Sequence, residues 1–173
     1  MTDPRVAEDA LLRAVRRLPR GSGIVLRHYH LPDGERRALF DRLRRIADRR
    51  GLILFLGGGT REARAWGADG CHGDRGSTPL RWPASMAVHD ARQLRVAQRR
   101  GASLIFLSPL FATRSHPGQR PLGPVRFAAL ARRAGVPVLA LGGVKPRHGR
   151  LIRALGAQGF GAIDSLSRRE VAS

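Results

Sequence analysis

The chain has 173 residues, of which 42% are hydrophobic, with a single cysteine and a formal net charge of +19. That length suffices for one domain with a real core, and the apolar share excludes a disordered chain. A lone cysteine excludes an internal disulfide, and no run approaches the ~18 apolar residues of a membrane span. The opening MTDPRVAEDALLRAVRR lacks the continuous apolar core of a signal peptide, so a cytoplasmic protein with no membrane contact is expected. The charge invites a nucleic-acid reading. Against it, Lys145 is the only lysine, and the arginines fall at helical spacing (Arg13, Arg16, Arg17; Arg42, Arg44, Arg45, Arg49; Arg92, Arg95, Arg99, Arg100), as on solvated outer faces. No nucleic-acid motif accompanies them, so no specific nucleic-acid partner is expected; the positive field would steer an anionic substrate inward.

Residues 5–18 carry Val6, Ala10, Leu11, Ala14, Val15 and Leu18 on one helical stripe, ended by Pro19 and Gly21. A short buried strand, 23–27 (GIVLR), leads to His28-Tyr29-His30. A turn at Pro32-Asp33-Gly34, with Asp33 as N-cap, opens a helix through Leu39, Phe40, Leu43, Ile46 and Ala47 to Gly51. The apolar strand 52–56 (LILFL) ends in Gly57-Gly58-Gly59, and a short helix starts at Thr60 and stops at Gly67. Strands at 68–72 and 85–88 flank a loop without period. A helix from Asp90 to Arg100 turns Ala91, Leu94 and Ala97 inward. Strand 103–107 runs into the loop SPLFATRSHPGQRPL. A helix over 124–134, strand 136–141 ending in Gly142-Gly143, a helix after Lys145-Pro146, and a last strand from Gly159 complete the chain. Strand and helix alternate over short connections, which means parallel strands with crossover helices. Seven strands at this repeat length suit an α/β barrel of the TIM type over an open sheet, and no Gly-x-Gly-x-x-Gly follows the first strand.

In such a fold chemistry sits at the C-terminal strand ends. Those ends carry Arg27 and His28, Gly57 to Gly59, His72, His89, the loop from Ser108 to His116, Gly142-Gly143, and Asp164-Ser165. Gly142-Gly143 followed by a helix suits a phosphate, because bare backbone N–H groups can face it; Gly-Gly at a strand end is equally a tight turn. His72, His89 and His116 have no carboxylate or cysteine at ligand spacing and do not make a metal site. Cys71 lies inside a strand and reads as packed. Trp66 and Trp82 also read as packing residues.

With these residues in hand, the chain resembles the thiamine phosphate synthase family, which includes the related thiazole tautomerases. The segments that carry the resemblance are FLSPLFATRSHPGQRPLG (106–123), PVLALGGV (137–144), GADGCHG (67–73) and VHD (88–90). The resemblance spans nearly the whole chain and implies one domain, 1–173, with a (β/α)₈ barrel fold. It implies an enzyme that joins hydroxymethylpyrimidine pyrophosphate to a thiazole phosphate, giving thiamine phosphate and pyrophosphate, with Mg²⁺ assisting the leaving group. The alternatives are a thiazole tautomerase or a phosphate-binding barrel without turnover. Position by position, the family's pyrophosphate-binding Gln-x-Arg-x-Lys resembles 25–29, where Arg27 is kept and Tyr29 replaces the Lys. The Asn-Asp that helps hold Mg²⁺ falls in Gly57-Gly58-Gly59, leaving Asp74 as the candidate metal-side acid. Ser108, Thr113 and Ser115 match the thiazole-side positions, His116 stands where Lys is expected, and Gly142 and Gly143 match the phosphate-binding glycines. Asp164 falls where Ser is usual, beside Ser165. The implied catalytic residues are Arg27, His89 and His116, the two histidines supplying acid–base work in the tautomerase alternative.

Family members open with a strand ending in Thr-Asp. Met1-Thr2-Asp3 resembles the end of that strand, so one strand of eight is missing, either because the start codon is set too late or because the barrel has a slot. A slot exposes strand edges and favours a homodimer.

Overall fold

The computed structural model describes residues 1–74, 76, 81–113 and 120–161. Chain contacts divide the molecule into two compact units, one within Met1–Arg75 and the other within Gly76–Ala162. In the first, helix α1 (Glu8–Arg16) precedes strand β1 (Gly23–Leu26). Helix α2 (Asp33–Arg50), strand β2 (Ile53–Gly57), helix α3 (Thr60–Trp66) and strand β3 (Gly70–His72) follow. β1 pairs parallel with β2, and β2 with β3.

The second unit holds β4 (Ala84–Val88), α4 (Ala91–Arg99), β5 (Leu104–Leu107), α5 (Gly123–Arg132), β6 (Val138–Ala140), a 3₁₀ turn at Pro146–His148, α6 (Gly149–Ala154) and β7 (Gly159–Phe160). Its strands are also parallel and adjacent in chain order. The architecture is therefore strand–helix alternation with right-next-door parallel pairing, as the apolar spacing predicts.

Local chemistry explains the boundaries. Gly51 and Gly67 adopt the left-handed conformation that ends α2 and α3 (φ +61° and +75°). Asp90 caps α4, its side chain accepting the Gln93 N–H at 2.7 Å. Asp33 is not a cap: it is the first residue of α2, Pro32 holds the cap position, and Asp33 with Glu35 places negative charge at the positive end of the helix. α2 buries Leu39, Phe40, Leu43, Ile46 and Ala47, as its spacing requires. It also buries Arg36, and Arg44 is half-buried between Asp69 and Asp48, so Arg44 is not the solvated outer-face residue its spacing predicts. The second unit closes over Val88, Ile105, Leu107, Leu110, Phe127, Val138 and Ile152. Buried Cys71 lies within β3 with its sulfur 3.5 Å from Thr60 Oγ1. None of the described helices is long and apolar enough to cross a membrane.

Candidate active site

In the first unit the polar residues collect where β1, β2 and β3 end. Thr2 lies alongside β1: its N–H donates to Val25 O at 2.9 Å, and its hydroxyl accepts the Arg27 N–H at 3.0 Å. The same hydroxyl is 2.9 Å from His28 Nδ1, which fixes that ring in a buried position. Burial first, then the nearby His30, lowers the His28 pKa from its ordinary value against the pull of Asp3. The Asp3 carboxylate is gripped by Arg5 through Nε at 2.9 Å and Nη2 at 2.5 Å. Those hydrogen bonds hold its pKa down to about 2, although burial acts the other way. His72, buried at the end of β3, is lowered to about 4, by burial first and then by the charges of Arg27 and the chain's amino group. At neutral pH it is an uncharged imidazole.

Arg27 is half-buried amid these groups. Its guanidinium has no ion-pair or hydrogen-bond partner among the described residues. The glycines after β2 are more constrained. A Cβ on Gly57 would stand 2.5 Å from the Tyr29 hydroxyl and 2.9 Å from Leu26 O, so the Tyr29 ring fills the space a side chain would need. Gly58 has φ +131°, a conformation closed to ordinary side chains. Arg36 reaches this corner from α2. It donates to Gly57 O and to Glu62 Oε1 (3.0 Å), with its guanidinium carbon 5.3 Å from the Tyr29 ring centroid and 5.5 Å from that of Trp66. Tyr29, Arg36, Glu62 and Trp66 thus form one interlocked cluster. Sequence reading missed Arg36 and Glu62, and an Arg preceding an apolar helical stripe was the available signal.

Asp74 lies beside this corner and its Oδ2 accepts both the N–H (2.9 Å) and the hydroxyl (2.7 Å) of Thr60, serving as the cap that Gly59 lacks at the start of α3. These residues do not fit a divalent cation. Neither Gly57 nor Gly58 carries a side-chain oxygen and the Gly57 carbonyl is taken by Arg36, the Asp3, Glu62 and Asp74 carboxylates are each engaged, and no group of three His, Cys, Asp or Glu among the described residues could hold a metal ion.

The second unit brings together His89, Ser108 and the Gly142-Gly143 pair around the loop after β5. His89 Nδ1 is 2.9 Å from Ser108 O and 3.1 Å from Ser108 Oγ. A carbonyl oxygen only accepts, so Nδ1 donates to it and Nε2 is left for a ligand. The loop backbone is clamped from both sides: Leu110 and Phe111 N–H donate to Leu141 O and Gly142 O, while Leu122 and Gly123 N–H donate to Pro109 O and Leu110 O. Gly142 (φ +84°) and Gly143 (φ +64°) are required by this approach. A Cβ on the first would stand 2.5 Å from Pro109 Cβ, and one on the second 2.5 Å from Ala112 O. The N–H groups of Gly142, Gly143 and Val144 have no acceptor among the described residues. No α-helix follows directly: the Pro146–His148 turn intervenes before the six-residue α6, so the donors on offer here are backbone N–H groups and not a helix terminus. Thr113 is half-buried at the end of the described loop. Ser115, His116, Asp164 and Ser165 lie outside the described residues.

Against this geometry, comparison with known proteins is decisive. The family described as thiamine monophosphate synthase matches residues 1–166. The chain belongs to that family. It is 28% identical over 148 residues to the putative thiamine-phosphate synthase 2 of Aquifex aeolicus, covering 81% of this chain and 80% of that one. It is 30% identical over 176 residues to the putative thiamine-phosphate synthase of Geobacter sulfurreducens, covering 93% of this chain and 78% of the relative. The solved thiamine phosphate pyrophosphorylase from Pyrococcus furiosus has the same fold, with a TM-score of 0.81 at 20% identity over 98% of this chain and 86% of that one. The α/β fold of the TIM-barrel type expected from the strand–helix repeat is therefore the fold this family member has.

Proposed function

We propose that the protein is a thiamine phosphate synthase, a single barrel domain acting on small phosphorylated substrates. It would join hydroxymethylpyrimidine pyrophosphate to a thiazole phosphate. The methylene C–O bond breaks, pyrophosphate departs with the electron pair, and the thiazole nitrogen donates its lone pair to the pyrimidine cation, forming the C–N bond. Such a reaction needs developing charge to be met by fixed donors more than it needs a general base.

The observation that carries this reading is the three successive N–H groups at Gly142, Gly143 and Val144, without acceptors among the described residues of a chain whose family match runs over 1–166. They are suited to the phosphate of the thiazole substrate, with Ser108, Thr113, Ser115, Asp164 and Ser165 assigned to the same half. Arg27 is assigned to the departing pyrophosphate. Family members are Mg²⁺ enzymes by resemblance, but because the described residues do not fit the ion, no step is routed through it. Cys71, buried and in no disulfide, suits a cytoplasmic location. A homodimer is the proposed assembly, to be checked by light scattering.

The test is incubation of the purified protein with both substrates, with and without Mg²⁺, and chromatographic detection of thiamine phosphate. Its formation is expected; none under either condition overturns the assignment. One observation favours a second reading. His89 Nε2, freed by the Nδ1–Ser108 bond, could exchange a proton with a bound thiazole as a tautomerase requires, with His116 as its partner. Isomerisation of a thiazole carboxylate phosphate without any synthase product would select it.

A further inference from the structure

We infer that the rim formed by the ends of β1, β2 and β3 takes a phosphate-bearing anion on direct contacts to Arg27 and needs no bridging divalent cation. The inference rests on the assignment of pyrophosphate to this rim and replaces the metal expected there. Three observations carry it.

The metal side has been rebuilt and cannot be restored by restoring one residue. Gly57 is covered by the Tyr29 ring and Gly58 holds a left-handed backbone, so neither position accepts a carboxylate as the chain now stands. The carboxylates that do lie nearby have partners in place: Asp3 with Arg5, Glu62 with Arg36, Asp74 with Thr60. Recruiting any of them to an ion would strip a guanidinium or a helix start of its counterpart.

Arg27 is the converse case. It is a half-buried guanidinium whose charge adds to the burial that lowers the His72 pKa to about 4, and adds to the lowering of His28. The acid it reaches, Asp3, is already held by Arg5. A cation added here would raise the repulsion; an anion in direct contact would relieve it. The planar fork of Arg matches two oxygens of one phosphoryl group, and a pyrophosphate offers several such pairs.

The rim is also stiff. Thr2 ties the Arg27 N–H and the His28 ring together, and Gly58 N–H donates to His72 O at 3.0 Å, so the three strand ends are fixed to one another before any ligand arrives. Anchoring of this kind lowers the ordering cost of binding.

The experiment is calorimetric titration of the full chain with inorganic pyrophosphate, and separately with inorganic phosphate, in EDTA and in excess Mg²⁺. Pyrophosphate is expected to bind in EDTA, and Mg²⁺ is expected not to tighten it. Arg27→Gln should weaken binding about 10- to 100-fold, the loss of a charged hydrogen-bonding pair, with an unchanged urea midpoint. Arg27→Lys, which keeps the charge and loses the fork, should fall between and serves if the Gln variant does not fold. Equal or tighter binding of inorganic phosphate would point to a phosphate ester as the natural ligand and leave the metal-free contact standing. Binding that requires Mg²⁺, no binding at all, or wild-type affinity in both variants overturns the inference. Synthase turnover measured on the same preparation separates the two readings. Binding in EDTA without turnover defeats the synthase assignment alone. Turnover with Mg²⁺-dependent binding defeats this inference alone.

Discussion

At the ends of β1, β2 and β3, Asp3, Glu62 and Asp74 are each held by a neighbour, whereas the guanidinium of Arg27 has no partner among the described residues. Beyond β6 the backbone N–H groups of Gly142, Gly143 and Val144 have no acceptors among the described residues. One rim offers an anion the charge of a side chain; the other offers the geometry of a main chain. The difference bears on how each can diverge. A side-chain site can be rewritten by point substitution. A backbone site persists for as long as the loop 109–112 packs against two left-handed glycines. The surrounding charge follows the same division: Asp90 is the only carboxylate between residues 76 and 161, and it caps α4.

Titration should separate the rims most widely. His72 stays neutral in the folded protein down to about pH 4, while in the unfolded chain it protonates near its ordinary 6.5. Unfolding therefore takes up a proton between those values, so the stability that neutral His72 contributes is complete above pH 6.5 and is lost as the pH falls toward 4. The expected loss is about 3 kcal/mol. Urea midpoints measured across that window for the natural chain and for His72→Gln should converge at low pH; parallel curves would remove His72 as the cause.

The second rim should respond to volume rather than to protons. Gly143→Ala forces a side chain into a left-handed backbone and onto Ala112 O, for an expected loss of about 2 kcal/mol with little pH dependence. Equilibrium unfolding at two pH values reads both parts of that statement. A smaller effect belongs to Arg36→Met. It leaves Gly57 O without its donor and Glu62 without its partner while keeping the apolar stem, and should cost about 1 to 2 kcal/mol. An Arg36→Met chain as stable as the natural one would show that the Tyr29 ring holds its place unaided.

The strand order was legible because the buried runs, such as LIFL in β5, stand between breakers, and parallel pairing follows from alternation with helices. The Gly142-Gly143 pair was legible as a tight turn, and the close approach of the 109–112 backbone demands the glycines; the phosphate-donor account remains the proposal, supported by N–H groups without acceptors among the described residues. The Tyr29–Arg36–Glu62–Trp66 cluster was not legible. Its members come from the turn before α2, from α2 and from α3, and what joins them is matched volume and one buried guanidinium, neither of which has a period. Asp74 illustrates the same limit. Its type and position suit a metal ligand, and only the contact with Thr60 reveals the cap.

The Tyr29 ring over Gly57 also couples two positions. With the ring in place, a side chain at 57 meets the Tyr29 hydroxyl at 2.5 Å; a smaller residue at 29 removes that contact and leaves the Leu26 carbonyl, 2.9 Å away, to shift. Residues 29 and 57 are consequently epistatic: the cost of a side chain at 57 depends on what stands at 29.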